Sequence, residues 1–454
     1  MSEKNNSTPY GVDSLTYSKQ GLITLFSWLL WGDFAFVFFE QIFGRFLPIF
    51  LKELRVSNLM IGVLSGSTVG LVNILFLPYV SQWSDSFRSK WGRRIPFLFW
   101  TTPLTVITVI FVGCAPETGA WIHQHWVSPY FPHVTEHQVI IGQLCCWVFA
   151  FNFFNMILVN SFNWLVVDIV PQFIIARFLS WFKVVGTISS CLFTWYVFPH
   201  ILEYRKEVCV GVGVFYTVAF WVMCFKIKEG VYAEPIVSDR TNFWKKFSGY
   251  FSDCWSVPLY RHYFLTNIMV MIATASSASF IVLFSKETLG LSLEDMGKSF
   301  TYGLIVSAIL YFIFGWLCDK MNPLLVVVCS LVGFVFISIG SYFLIQGKTS
   351  WIIYSMVSMI PGVALGIGSN ITGMRIFPRE RYGQFAAGSN VFGCGSQILF
   401  NFLSGKFMDW TGSNYRLIFL WSFTFFLLAT FYFMKVYRES KKLGLHEKIP
   451  LPTP

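Results

Sequence analysis

Ser84-Asp85-Ser86-Phe87-Arg88-Ser89-Lys90-Trp91-Gly92-Arg93-Arg94-Ile95-Pro96-Phe97 is a short cationic turn between two apolar runs, 58–81 and 95–115. Each run is long enough to cross about 30 Å of hydrocarbon as a helix. The four basic residues hold such a turn on the cytoplasmic face of a bilayer. That topological role leaves Asp85, Gly92 and Pro96 without an account.

Outward from this turn the pattern repeats. Apolar segments lie near 22–50, 58–81, 95–115, 138–165, 177–200, 207–227, 259–284, 296–318, 322–346, 351–376, 384–408 and 415–436. Helices are the economical choice, because an open strand strands its backbone amides in lipid. A transmembrane barrel requires alternating segments of about ten residues, and these runs do not alternate. The composition agrees: 55% of residues are hydrophobic and only 12% charged, about half the charge of a soluble domain. The expected fold class is an all-α membrane protein with twelve transmembrane helices.

The net charge of +10 does not indicate nucleic acid, because the basic residues sit in short loops between spans. With both termini in the cytoplasm, 22 Lys and Arg fall inside and nine outside, with Arg45 and Lys183 within spans. That bias fixes the expected orientation. The polar N-tail, 1–21, carries no cleavable signal pattern, so the first span serves as the insertion signal. Ten scattered cysteines form no CxxC pair and suggest neither a disulfide framework nor a zinc site. Four histidines between 123 and 137 offer metal ligands but read first as a polar outer loop.

The longest polar connection, 228–258, divides the chain into a six-helix bundle at 22–227 and another at 259–436, followed by a cytoplasmic tail, 437–454. The halves rhyme. Asp168-Ile-Val-Pro171 follows the fourth span and Arg375-Ile-Phe-Pro378 the tenth; Ser84-Asp85 ends the second and Cys318-Asp319 the eighth. Paired six-helix halves are a transporter architecture.

On these residues, the turn at 84–97 resembles the loop signature of the major facilitator superfamily, with an Asp, a Gly and paired basic residues between spans two and three. It looks most like the glycoside–pentoside–hexuronide:cation symporters and the related sucrose/proton symporters. The resemblance implies two pseudo-symmetric bundles that alternate access to a midplane cavity. It implies gate roles for Asp85, Gly92, Arg93 and Arg94, with Asp85 near the start of the eleventh helix and Arg93 paired with Asp85 or a neighbouring carboxylate. Asp168, near Arg177, reads as a hinge or gate residue; Asp319 and Arg375 are the corresponding positions in the second half. The chain departs from the family pattern where Ser86 stands in place of the Arg that often follows the Asp, and where 58–81 has no acidic residue of the melibiose type. Sodium coupling is therefore disfavoured. The core carboxylate that sucrose/proton symporters carry in the fourth span is also absent.

Ionisable side chains at mid-membrane cost about 2.5–3.5 kcal/mol each on insertion scales and mark function. Asp33 and Glu40, seven residues apart on the first span, are the proton-coupling candidates; the alternative is a structural ion pair with Arg45 or Lys183. Asn152, Asn155 and Asn163, with Lys183 nearby in the fifth span, are candidate substrate ligands, because amides both donate to and accept from polyols. Tyr302, Asn370, Asn390 and Gln397 are the candidates in the second half. Interhelical hydrogen bonding is the alternative role for each Asn.

The expectation is a secondary active transporter, proton-coupled and carrying a sugar or glycoside, with an exporter or lysolipid carrier of the same fold as the rival. It is expected to act as a monomer in the plasma (inner) membrane, with the bilayer, a small solute and protons as partners. No cofactor is implied, no Walker loop, GxSxG or HExxH appears in a suitable context, and the histidines largely avoid the spans, so enzyme function is not expected. A non-transporting membrane sensor is the third reading, but neither tail is long enough to form a signalling domain.

Overall fold

Long apolar helices account for nearly all of the chain in the computed structural model, which describes residues 10–12, 15–171, 174–230, 255, 257–377 and 382–442. Ten are long and apolar enough to cross a membrane: α1 (Lys19–Glu53), α2 (Asn58–Ser86), α3 (Ile95–Gly113), α4 (Glu136–Ile169), α6 (Arg205–Lys226), α7 (Pro258–Thr288), α8 (Leu293–Cys318, continuing to Lys320), α9 (Pro323–Leu344), α10 (Lys348–Ile376) and α12 (Tyr415–Lys442). Two more, α5 (Ile175–Leu192) and α11 (Tyr382–Trp410), bring the long helices among the described residues to twelve. The chain is an integral membrane protein. A small antiparallel hairpin, Tyr10–Val12 with Leu15–Tyr17, precedes α1.

Proline sets local deviations in these helices. In α1 the segment Ile42–Phe46 widens to a π turn just ahead of Pro48. Proline has no N–H to give and its ring crowds the preceding turn, so the wider turn relieves the clash. The π turn at Phe193–Val197 likewise precedes Pro199. Several buried hydroxyls are satisfied within their own helices. On α3, Thr101, Thr102 and Thr105 donate to the carbonyls four residues back, at 2.6–2.8 Å. Such bonds let polar residues sit in an apolar helix without a partner from elsewhere.

The chain divides into two compact units: residues 1–46 with 72–237, and residues 47–71 with 238–454. In the first unit α1 packs on α5 and α6, and α3 on α4 and α6. Aromatic faces carry these contacts: Phe39 stacks on Tyr216 with centroids 4.6 Å apart, and Phe111 on Trp147 at 4.4 Å. Beyond α3, Glu117 bridges Arg205 (2.7 Å) and Lys206 (3.0 Å) at the start of α6. Burial pushes its carboxyl up, but its backbone hydrogen bond and the two cations outweigh this and hold it below the usual carboxylate range. This half-exposed bridge therefore contributes its small stabilisation at neutral pH and loses it as pH falls through the depressed value.

In the second unit α7 and α9 pack on α12, and Phe264, Phe377, Phe385 and Phe433 form part of its core. The first turns of α2 belong to this unit and lie against α11. The approach is close enough that a Cβ on Gly405 would sit 2.5 Å from the Asn58 carbonyl and 2.7 Å from Leu59 Cα. Asp409, at the end of α11, accepts from the backbone N–H of Asn58 (2.9 Å) and Leu59 (2.8 Å) and from the Asn58 side chain (2.9 Å). A carboxylate there supplies acceptors for the free amides at the start of α2. The phenol of Tyr415 donates to Asn58 Oδ1 at 2.6 Å and completes the cluster.

Gly405→Ala is expected to destabilise by about 1–3 kcal/mol, the usual range for overpacking. Gly211→Ala, on α6 with nothing within 4 Å of the added carbon, is expected to be neutral or slightly stabilising. Thermal unfolding of both variants in detergent checks the contrast.

Candidate functional site

At one end of the first unit the turn at 84–97 gathers four helix ends. Arg93 makes a forked pair with Asp168 at the end of α4, Nη2 to Oδ1 at 2.8 Å and Nε to Oδ2 at 3.2 Å. Arg94 donates to Asp168 Oδ2 (3.2 Å), to Asp85 Oδ1 (2.5 Å) and to Ser84 Oγ (2.5 Å). Its guanidinium also lies over the Trp164 ring, 4.9 Å from the centroid. Glu229, just past α6, accepts from the backbone N–H groups of Arg93, Arg94 and Ile95 at 2.6–2.9 Å. Those amides open α3 and lack intrahelical partners, so a carboxylate is the complementary cap.

Gly92 makes the turn possible. Its φ is +105°, and a Cβ there would lie 2.4 Å from the Glu229 carboxyl carbon. Only glycine meets both demands without strain. Of the two partners expected for Arg93, Asp85 or a neighbouring carboxylate, the structure has the second. Arg93 takes the neighbouring carboxylate Asp168, and Arg94 takes both Asp168 and Asp85. Asp168 does not bond Arg177, which is exposed on α5. The expectation that Asp85 lies near the start of the eleventh helix links residues of the two different units and stays an expectation.

Deep in the same unit, Asp33 on α1 is buried, and its Oδ2 has no hydrogen-bond partner. It faces α5 at Gly186, where an added Cβ would stand 3.4 Å from Oδ2. Lys183, one turn earlier on α5, and Glu40 are the charges that act on it. Neither Asp33 nor Lys183 forms an ion pair within 4 Å among the described residues, so the structural pairing with Lys183 is not made here. Glu40, two turns along α1, is exposed. The α4 amides differ in environment: Asn152 is buried, Asn155 half-buried and Asn163 exposed. Asn152 donates to Val148 O (3.0 Å) and Asn160 to Met156 O (2.7 Å), both on their own helix.

In the second unit Tyr302, Asn370 and Asn390 are exposed, and Gln397 and Arg375 half-buried. The Gln397 carbonyl accepts from Asn401, which packs on Gly66 rather than opening to a cavity. Asp319 lies in the last turn of α8, and its side chain lies outside the described ones. Among the described residues no three or more His, Cys, Asp or Glu side chains converge to hold a metal. Between α3 and α4, His123 and His125 contact the carbonyls of Val134 and Trp121.

Sequence reasoning missed Glu229 and the Asp409–Asn58–Tyr415 cluster. The only sequence signal was position: each carboxylate falls within a few residues of the end of a span.

Residues 207–400 match the model of the Major Facilitator Superfamily. No curated protein matches the sequence. Among solved structures, the chain is similar to a bacterial homologue of the iron transporter ferroportin in its inward-facing state, with TM-score 0.67 and 16% identity over 91% of this chain and 99% of that one. It is also similar to a bacterial homologue of the human lysosomal transporter Spinster (0.65, 12%, 94% and 98%) and to the nucleoside transporter NupG (0.65, 12%, 91% and 100%). The chain therefore has the major facilitator fold.

Asp168→Asn is expected to destabilise the protein by about 3–5 kcal/mol, because it leaves the buried guanidinium of Arg94 without full compensation. Asp85→Asn is expected to cost about 1 kcal/mol or less, since the Asp85 side chain is 57% exposed against 14% for Asp168. Chemical or thermal unfolding of the two variants in detergent checks the order.

Proposed function

We propose that the protein is a secondary transporter that carries a sugar or glycoside by alternating access, coupled to protons, with Asp33 as the coupling group. One observation carries the reading: Asp33 is a buried carboxylate within a span whose Oδ2 accepts no hydrogen bond, while Lys183, near it, forms no ion pair among the described residues. A carboxylate kept in that state is expensive in a membrane, and such groups serve proton relays and solute sites. An amide or hydroxyl from a substrate, or a proton, satisfies the open oxygen, and loss of either returns it to the resting arrangement. On α4 and α5 of the first unit, half-buried Asn155 and exposed Asn163 and Lys183 supply polar groups of the kind that neutral polyols need, and Tyr302, Asn370 and Asn390 are the candidates within the second unit.

The sugar assignment rests on the turn at 84–97 and its resemblance to the glycoside and sucrose symporters. In this reading the bundles 22–227 and 259–436 rock about the linker 228–258, the termini face the cytoplasm, and the gate residues hold their helix ends rigid during the motion. The solved relatives carry names as diverse as an iron, a lysosomal and a nucleoside transporter. The fold is thus common ground for many solutes.

A second reading has an amphipathic cargo such as a lysolipid. It is favoured by an apolar recess of about 660 Å³ between α1 and α6, lined by Trp28, Trp31, Phe215, Val218 and Val222 among others.

Uptake of labelled sugars and lysolipids into proteoliposomes, with and without an imposed pH gradient, separates the readings. The expected outcome is uphill sugar accumulation driven by an inward-directed proton gradient, with the outside more acidic than the lumen. Asp33→Asn is expected to abolish that accumulation while leaving sugar exchange across the membrane intact. Unchanged gradient-driven uptake in the variant removes Asp33 from coupling, and lysolipid movement without sugar uptake selects the second reading.

A further inference from the structure

The end of the second unit where α7 begins and α12 finishes holds a recess of about 580 Å³ unlike the apolar one. His262, Lys435, Arg438, Glu439, Lys441 and Lys442 line it, four cations and a histidine against a single carboxylate. That carboxylate is already engaged, with Glu439 Oε1 2.9 Å from Lys442 Nζ. Lys435, Arg438 and Lys441 form no ion pair among the described residues. Lys435 instead rests over the rings of Phe431 (4.3 Å) and Tyr432 (5.7 Å), so its ammonium is drawn back along the helix toward the apolar span. The His262 ring stacks on Tyr432, and its buried Nδ1 has no hydrogen-bond partner. Like charges crowded around a cavity repel one another unless an anion is there to be shared.

We propose that this recess binds a phosphate oxyanion, presented by the headgroup of an anionic membrane lipid. The chemistry is that of donors converging on tetrahedral oxygens: a guanidinium fork from Arg438, ammonium groups from Lys435 and Lys441, and a ring nitrogen from His262. The position supplies the lipid. Phe431 and Met434, one turn deeper on α12, are exposed at 55% and 37%, an apolar surface for acyl chains immediately beneath the cations. Basic recesses between helices at a bilayer surface collect anionic headgroups, each Lys or Arg adding a favourable increment. The inference depends on the chain being embedded in a membrane and is independent of the transported solute.

The test is native mass spectrometry of the full-length protein purified in detergent and exposed to dioleoylphosphatidylglycerol or dioleoylphosphatidylcholine, alongside thermal unfolding with and without inorganic phosphate. The wild type is expected to retain the glycerol lipid about tenfold over the choline lipid, and Lys435→Gln/Arg438→Gln to lose that preference. Lys435→Arg/Arg438→Lys is expected to keep it. Lys226→Gln/Lys228→Gln, which removes equal charge from an exposed segment of the other unit, is expected to leave it unchanged. Stabilisation by inorganic phosphate that the neutral pair abolishes assigns the same site to a soluble phosphate instead. Equal lipid preference in the wild type and the neutral pair with no phosphate effect, or equal loss in both neutralised pairs, overturns the proposal. If the neutral pair does not elute as a monodisperse species, Arg438→Gln alone, at an exposed position, carries the same comparison.

Discussion

The guanidinium of Arg94 is the group on which one end of the first unit depends. It is 5% exposed, and an unpaired cation at that depth is among the most destabilising things a fold can contain. Every donor direction must find an acceptor, and here the acceptors come from different helices: Ser84 and Asp85 from α2, Asp168 from α4, with the Trp164 face beside them. Satisfying one side chain therefore fixes the relative positions of three helix ends. Glu229 extends the constraint to the chain leaving α6 by capping the backbone that carries Arg93 and Arg94. Three carboxylates meet two guanidinium groups and a helix N-terminus, so the formal excess of negative charge is offset by the helix dipole.

Hydropathy made the fold legible, because a bilayer demands uninterrupted apolar runs and allows only helices to carry them. The turn at 84–97 was legible for the same kind of reason: Asp85, Gly92 and the paired arginines are too specific for a loop that only needs positive charge. The partners were not. Arg93 finds Asp168 across 75 residues and Glu229 across 136, and no local pattern decides between Asp85 and Asp168 as the deeper acceptor. That choice belongs to the packing of α3 on α4.

The association of residues 47–71 with the second unit was similarly hidden. Gly62, Gly66 and Gly70 were visible in the second span, as was Gly405 in the eleventh. Small residues recur throughout membrane helices, however, and nothing in their spacing names the partner. What identifies it is the pairing of their surfaces: an Asn401 side chain against Gly66 and the Asn58 carbonyl against Gly405. The lone Asp409 then has a reason to be where it is, as a cap for α2 rather than a ligand.

Counting polar residues in the spans overstates how many face a solute. Asn152 and Asn160 donate to carbonyls of their own helix, Asn401 does the same while filling the space beside Gly66, and the α3 threonines close on the preceding turn. Each has a complete structural explanation, and a polar atom already bonded within its helix gains little by turning to a ligand. Asp33 is different in kind. It is an ionisable group rather than an amide or hydroxyl, it is buried, and its second oxygen is left open opposite a glycine. A Cβ at 186 would stand 3.4 Å from that oxygen, in ordinary contact with it and with no hydrogen bond to offer. Selection for stability alone favours closing the gap or replacing the acid, since an apolar residue of similar volume stabilises a buried position more than an unpaired carboxylate does. An unpaired carboxylate at that depth is thus a cost the fold carries with no structural return, which sets Asp33 apart from every amide and hydroxyl named above.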